Sequence, residues 1–133
     1  MEKPLKEESL LTPERKAFWN GRRVFVTGGF GLLGSQLVDF LVRCGAQVVA
    51  LRRDFTPHSR LLGLESYKKV TVIPGDIEDA NLMMRILSDY EVETIFHVAA
   101  QPIAPIANRF PVPTLKTNIM GTINVHEAAR LSP

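Results

Sequence analysis

The chain of 133 residues has one cysteine, Cys44, and three histidines. One cysteine excludes an internal disulfide framework, and no Cys/His pair has metal-ligand spacing, so no metal site is expected. Long apolar runs are also lacking. No stretch approaches the roughly 20 apolar residues of a spanning helix, so the chain is expected to be soluble, with no membrane partner. Charge of one sign is scarce, since 16 Lys and Arg oppose 14 Asp and Glu for a formal net charge of +2. The basic residues are scattered among acids, which argues against nucleic acid as a partner. Residues 1–16 mix Glu and Lys without an apolar core or a small-residue cleavage site, so no export is expected and a reducing, cytoplasmic setting fits.

Catalytic couples are missing too. Neither Tyr67 nor Tyr90 has a lysine four residues on, so there is no Tyr-x-x-x-Lys. The serines and histidines form no nucleophile elbow, and Glu91 and Glu93 read as solvated loop residues. No residue of this chain is therefore expected to be catalytic.

What is present is an ordinary globular composition, 45% hydrophobic, of a length suited to one domain. Residues 1–20 read as a polar, mobile lead-in whose aromatic end, Phe18-Trp19, packs on the domain; residues 21–133 read as the domain itself. Asn20-Gly21 makes a turn. Arg22-Arg23-Val24-Phe25-Val26-Thr27 is a β-branched and aromatic run ending at glycines, as a buried parallel strand does. Leu32, Leu33, Leu37, Phe40 and Leu41 follow at helical spacing. A second strand is expected over 47–51, a short helix around 59–64, and a third strand over 70–73, stopped by Pro74-Gly75. Asp79 can cap a helix over 80–88 whose apolar face is Leu82, Met83, Ile86 and Leu87. A fourth strand is expected over 94–98. A loop with Pro102, Pro105, Pro111 and Pro113 then leads to a last helix over about 114–130.

Strands alternating with helices across short loops predict an α/β fold with a parallel sheet and right-handed crossovers. About four strands with flanking helices would form part of a Rossmann-like, doubly wound sheet, with a ligand crevice outside the carboxyl ends of strands one and four.

The strongest chemical signal is Thr27-Gly28-Gly29-Phe30-Gly31-Leu32-Leu33-Gly34, because it lies between an expected strand and an expected helix. Gly28 and Gly29 permit a tight turn, Gly31 a close approach to a pyrophosphate, and Gly34 close packing of helix on strand. The helix N-terminus offers free N–H groups and the positive end of its dipole. The competing reading is a glycine turn kept for packing alone. After the second strand, Arg52 and Arg53 suit the 2′-phosphate of NADP, while Asp54 stands at the spacing from the glycines that would serve NAD. NADP is favoured; a solvated loop is the competing reading. Asp76, before Ile77, could accept from an adenine amino group or serve as a turn or cap residue. His97, alone in an apolar strand, reads as a satisfied core residue, whereas the small Ala99 and Ala100 leave room for a cofactor.

The glycine motif, Asp76-Ile77, His97-Val98-Ala99-Ala100-Gln101 and Thr117-Asn118-Ile119-Met120-Gly121-Thr122 together resemble the extended short-chain dehydrogenase/reductases, from about Phe18 onward. Within them the chain is similar to the NAD(P)-dependent nucleotide-sugar epimerases and dehydratases, especially the 4,6-dehydratases acting on CDP-glucose or GDP-mannose. Phe18-Trp19-Asn20-Gly21-Arg22-Arg23-Val24 and Gln101-Pro102 are similar to the CDP-glucose type, and Arg52-Arg53 to the NADP-using GDP-mannose type. Pro105, Ala107 and Asn108 depart from the CDP-glucose pattern of Arg, Ser and Tyr.

The resemblance implies that Gly28, Gly31 and Gly34 hold the pyrophosphate, with Phe30, Leu32 and Leu33 in the same cofactor-binding turn. It implies that Arg52 and Arg53 meet the adenosine end, Asp76 and Ile77 the adenine, and Ala99, Ala100 and Gln101 the nicotinamide side. Asn118 would be a positioning residue. The implied chemistry is hydride removal from sugar C4, then elimination or epimerisation, with return of the hydride; the implied substrate is a nucleotide sugar. Because the family's Ser/Thr and Tyr-x-x-x-Lys lie beyond the last matching motif, this chain reads as the amino-terminal, cofactor-binding part, expected to be inactive alone. The family often dimerises through helices, which allows a homodimer. The rival expectations are a stand-alone NADP(H)-binding regulatory module and an inactive remnant of a split or truncated enzyme.

Overall fold

The computed structural model describes residues 7–132. Four parallel strands, β1 (Arg23–Thr27), β2 (Gln47–Arg52), β3 (Thr71–Pro74) and β4 (Thr94–His97), form one sheet in the order β3-β2-β1-β4. β1 therefore has a neighbour on each side, and the chain reverses direction across the sheet between β1 and β4. That reversal opens a crevice at the carboxyl ends of the strands.

Alternate side chains of the central strands feed two cores. Val24, Val26, Val48 and Ala50 face helix α2 (Leu32–Arg43), which contributes Val38, Leu41 and Val42. Phe25, Val49 and Leu51 face helices α3 (Ala80–Asp89) and α6 (Thr122–Leu131), which contribute Met83, Ile86, Leu87, Val125 and Ala128. Burial on both faces is why β1 and β2 read as unbroken apolar runs. Asp79 caps α3 as expected, accepting from the Leu82 N–H at 2.9 Å.

The structure corrects the sequence reading in four places. Residues 13–19 of the expected lead-in form helix α1 (Pro13–Trp19), started by Thr12, whose hydroxyl accepts from the Arg15 N–H at 3.3 Å, and by Pro13, whose missing N–H costs nothing in a first turn. A 3-10 turn, Glu7–Leu10, precedes it, and residues 1–6 lie outside the described residues. The aromatic end does pack, with the Trp19 and Phe96 ring centres 5.7 Å apart and the rings tilted by 50°. Leu32 and Leu33 do not join the apolar face of α2; they are 86% and 68% exposed, because Gly34, Ser35 and Val38 occupy the side that meets the sheet. The expected helix around 59–64 is a 3-10 turn, Arg60–Gly63, followed by another, Glu65–Lys69.

The fourth correction concerns the proline loop and the last helix. The loop is two short helices, α4 (Ala104–Arg109) and α5 (Pro111–Leu115), whose prolines sit in first turns where no N–H is required. The last helix is not continuous over 114–130. Between α5 and α6 the backbone widens into a π-helical turn, Lys116–Gly121.

Candidate functional site

An open cleft of about 210 Å³ lies at the carboxyl ends of the strands. It is lined by Gly28, Phe30, Gly31, Leu51, Arg52, Arg53, Asp54, Thr56, Asp76, Ile77, Ala99, Ala100 and Thr117. Five chain segments far apart in sequence meet here.

The glycine turn forms its floor. Gly28 has φ +71°, and a Cβ there would stand 2.7 Å from the Ala99 nitrogen, so a side chain would collide with the end of β4. Gly34 lies one helical turn into α2, where a Cβ would overlap the Gly28 carbonyl. Gly31 is the extended N-cap of α2, with no side chain bonded to the helix start, so the first-turn N–H groups keep no side-chain acceptor. Phe30 is buried against Tyr67, and its carbonyl accepts from the Ser59 hydroxyl at 2.8 Å.

The second wall is charged. The Arg52 guanidinium lies 5.8 Å from the centre of the Phe30 ring. Arg53 is bound to Asp54 at 2.6 Å, and this bond holds the Arg53 guanidinium above its already high pKa. Both partners are more than half exposed, so the pair adds little to stability and is open to a competing anion. Asp76 accepts from the Glu78 N–H at 3.0 Å, which fulfils the turn reading while the residue still lines the cleft. Ile77 is buried and packs against Gly121, where a Cβ would overlap its side chain.

The π-helical turn ties the remaining loops together. The Asn118 side chain grips Gln101 at both backbone groups, accepting from its N–H at 2.7 Å and donating to its carbonyl at 3.1 Å. The Thr117 hydroxyl donates to Glu78 at 2.7 Å, and Lys116 lies 3.0 Å from the same carboxylate. Thr117 first and Lys116 second hold the Glu78 carboxyl below the usual carboxylate range. Asn124, on α6, donates to the carbonyls of Ile77 and Glu78, each at 3.0 Å. Neighbouring residues thus reach two different loops, which the widened turn permits.

The chain matches the GDP-mannose 4,6-dehydratase family over residues 25–132. It belongs to that family. Within this nucleotide-sugar dehydratase and epimerase group of short-chain dehydrogenase/reductases, it is 34% identical over 116 residues to the CDP-glucose 4,6-dehydratase of Salmonella typhimurium, covering 86% of this chain and 32% of that protein. It is 32% identical over 106 residues to a UDP-glucose 4-epimerase of Lactobacillus helveticus, covering 80% and 31%. Among solved structures, an epimerase from Methanothermobacter thermautotrophicus superposes with a TM-score of 0.78 at 28% identity, over 92% of this chain and 35% of that one. The Bordetella bronchiseptica enzyme WbmH, solved in complex with NAD+, superposes with a TM-score of 0.69 at 28% identity, over 84% and 36%. The chain therefore spans about a third of the length of these relatives, and its four-stranded sheet is Rossmann-like.

Of the family-type residues expected from sequence, Gly28, Phe30, Gly31, Arg52, Arg53, Asp76, Ile77, Ala99 and Ala100 line one cleft. Gly34, Leu32, Leu33, Gln101 and Asn118 are not among its lining. Gly34 packs the helix beneath it, Leu32 and Leu33 point to solvent at the helix start, and Asn118 holds Gln101 beside it. Sequence reasoning missed Leu51, Thr56 and Thr117 as lining residues. Thr117 stands inside the motif noted above, but the π-helical turn that aims it has no signature in composition or periodicity.

Proposed function

We propose that this chain binds a nicotinamide dinucleotide, NADP(H) in preference to NAD(H), in the strand-end cleft. We propose further that it is the cofactor-binding part of a nucleotide-sugar 4,6-dehydratase or epimerase. The observation that carries the reading is the convergence on one cleft of the glycine turn, Arg52-Arg53-Asp54, Asp76-Ile77 and Ala99-Ala100. The residues fit the group: Gly28 and Gly31 present bare backbone to the cleft, and the first-turn N–H groups of α2, which have no side-chain acceptor, suit a pyrophosphate.

Bound cofactor would supply hydride transfer to and from the sugar ring. The chain's own share is to bind and orient. Arg52 and Arg53 offer cations to a 2′-phosphate, Asp76 an acceptor to adenine, and the small Ala99 and Ala100 a smooth wall on the nicotinamide side. Membership of the family and the NAD+ bound to WbmH support a nicotinamide cofactor. Two arginines at the end of β2 support NADP.

A thermal melt with and without NADP+ and NAD+ tests this. A ligand binding only the folded state stabilises by RT ln(1 + [L]/Kd), about 2.7 kcal/mol at a hundredfold excess over Kd. The expected result is a cooperative melt raised more by NADP+ than by NAD+; a cooperative melt that neither moves would sink the reading.

A further inference from the structure

β1 ends at Thr27 and β4 ends at His97, and the parallel register sets the two side by side. The Thr27 hydroxyl is fully buried and accepts from the backbone N–H of Val98 at 3.1 Å and of Ala99 at 3.2 Å. It also lies 2.7 Å from His97 Nδ1. Across the ring, His97 Nε2 lies 2.9 Å from the Thr122 hydroxyl, which donates its proton to the Asn118 carbonyl at 2.7 Å.

These bonds determine where the imidazole proton sits. A threonine hydroxyl has one proton to give. Thr122 gives its proton to Asn118, so toward His97 it acts only as an acceptor, and Nε2 carries the ring hydrogen. Nδ1 is then a bare acceptor. Thr27, whose oxygen already accepts two N–H groups, donates its own proton to that nitrogen. Every polar group in the chain of contacts is satisfied, and only with a neutral ring. A second proton on Nδ1 would set N–H against O–H, and to accept it the Thr27 hydroxyl would have to turn and give up one of its two donors, the Ala99 N–H or the Val98 N–H, the latter also held by the Thr27 carbonyl at 3.2 Å.

We propose that His97, as its neutral Nε2–H tautomer, is a positioning residue that holds Thr27 on the Val98–Ala99 backbone, and that protonating it lowers dinucleotide affinity. The affinity part rests on the cofactor reading above. The link to the cleft is short: Gly28 follows Thr27 directly, and Ala99, one of the two N–H donors, lines the cleft and abuts the Gly28 Cα. On its other side, His97 bonds Thr122, which bonds the carbonyl of the residue gripping Gln101. Its hydrogen-bond partners from β1 and α6, Thr27 and Thr122, are uncharged. His126 on α6 is the titratable group whose charge acts on the ring, and like burial it opposes protonation.

The test uses the wild-type chain uniformly labelled with 15N, and NAD+ as the probe, because the 2′-phosphate of NADP+ would itself titrate near pH 6. The expected results are an Nε2–H tautomer by long-range 1H–15N correlation, and a Kd for NAD+ rising about tenfold per pH unit below the measured pKa of His97. His97→Asn keeps an acceptor toward Thr27 and cannot titrate; it should flatten that profile, while His58→Gln should keep it and His126→Gln should keep its slope but move it to higher pH, because a charge that opposes protonation is gone. An Nδ1–H tautomer, or a Kd unchanged through the titration of His97, would overturn the proposal. Should neither NAD+ nor NADP+ bind at any pH, the cofactor reading falls, and with it the affinity part; amide signals of Val98 and Ala99 then decide the positioning role. Their movement with His97 titration supports it, and their constancy removes it.

Discussion

At Gly34 a single methyl group would overlap the backbone of Gly28, which has no rotamer through which to escape. Gly34→Ala is accordingly expected to lower stability by about 1–3 kcal/mol or more, the ordinary cost of overpacking, seen as a lower urea midpoint. Gly63 is the contrast. No atom stands within 4 Å of a Cβ there, and Gly63→Ala should change stability by no more than about 0.5 kcal/mol. Arg52 and Arg53 bear on cofactor choice: replacing both by Ala should weaken NADP+ roughly tenfold to a hundredfold, as loss of charge-assisted hydrogen bonds does, and NAD+ far less. Isothermal titration with each cofactor reads the difference, and equal losses would remove the role of these arginines in selecting NADP. His97 gives a pH dependence of stability. Its folded pKa is pushed below the usual value of about 6.5, by burial first and by His126 second, so the folded state takes up its proton less readily than the unfolded chain. Stability from this group is whole above about pH 6.5 and falls as the pH drops from there toward the folded value, which urea unfolding between pH 5 and 8 measures.

Among the elements, the π-helical turn Lys116–Gly121 joins the most parts of the site. Asn118→Ala breaks two bonds to Gln101, and amide exchange over residues 99–103 should quicken while the strands stay protected. Glu78→Gln keeps the shape of the Thr117 contact and loses the charge facing Lys116, so exchange should quicken in the 116–121 turn alone. Uniform exchange changes across the sheet in either variant would contradict this local tethering. The elements differ in how plainly the sequence announces them. β1 and β2 were legible because burial on both faces demands continuous apolar residues, and α3 because Asp79 caps a clean apolar stripe. Helix α1 carried its start signal in Thr12-Pro13-Glu14, hidden by a polar surface that buries no residue. Of the prolines that suggested a loop over 102–113, Pro105, Pro111 and Pro113 sit in first turns of α4 and α5, where the usual objection to proline lapses.

On the scale of the whole molecule, one parallel sheet of four strands presents one crevice, and no described helix is long and apolar enough to cross a membrane. Saturating NADP+ at a hundredfold excess over Kd should raise the melting temperature by roughly 10 °C for a domain of this size. The 133 residues contain no Tyr-x-x-x-Lys, and the purified chain is expected to turn over neither CDP-glucose nor GDP-mannose. Sugar product above the enzyme-free rate, assayed with either cofactor, would refute that expectation.

The sequence by itself determined the strand, glycine turn and helix at residues 23–43, the parallel α/β class, and most of the residues that line the cleft. These are local matters: apolar continuity, the room a glycine leaves, the charge at a strand end. Only the tertiary structure decided which groups complete one another's hydrogen bonds. Thr27 and His97 lie 70 residues apart, and Asn118 reaches Gln101 from 17 residues away across a turn of unusual width. His97 looked like a satisfied core histidine, and it is satisfied. Where its proton sits depends on two hydroxyls that the fold alone brings to it, because a tautomer answers to its partners in space rather than to its neighbours in the chain.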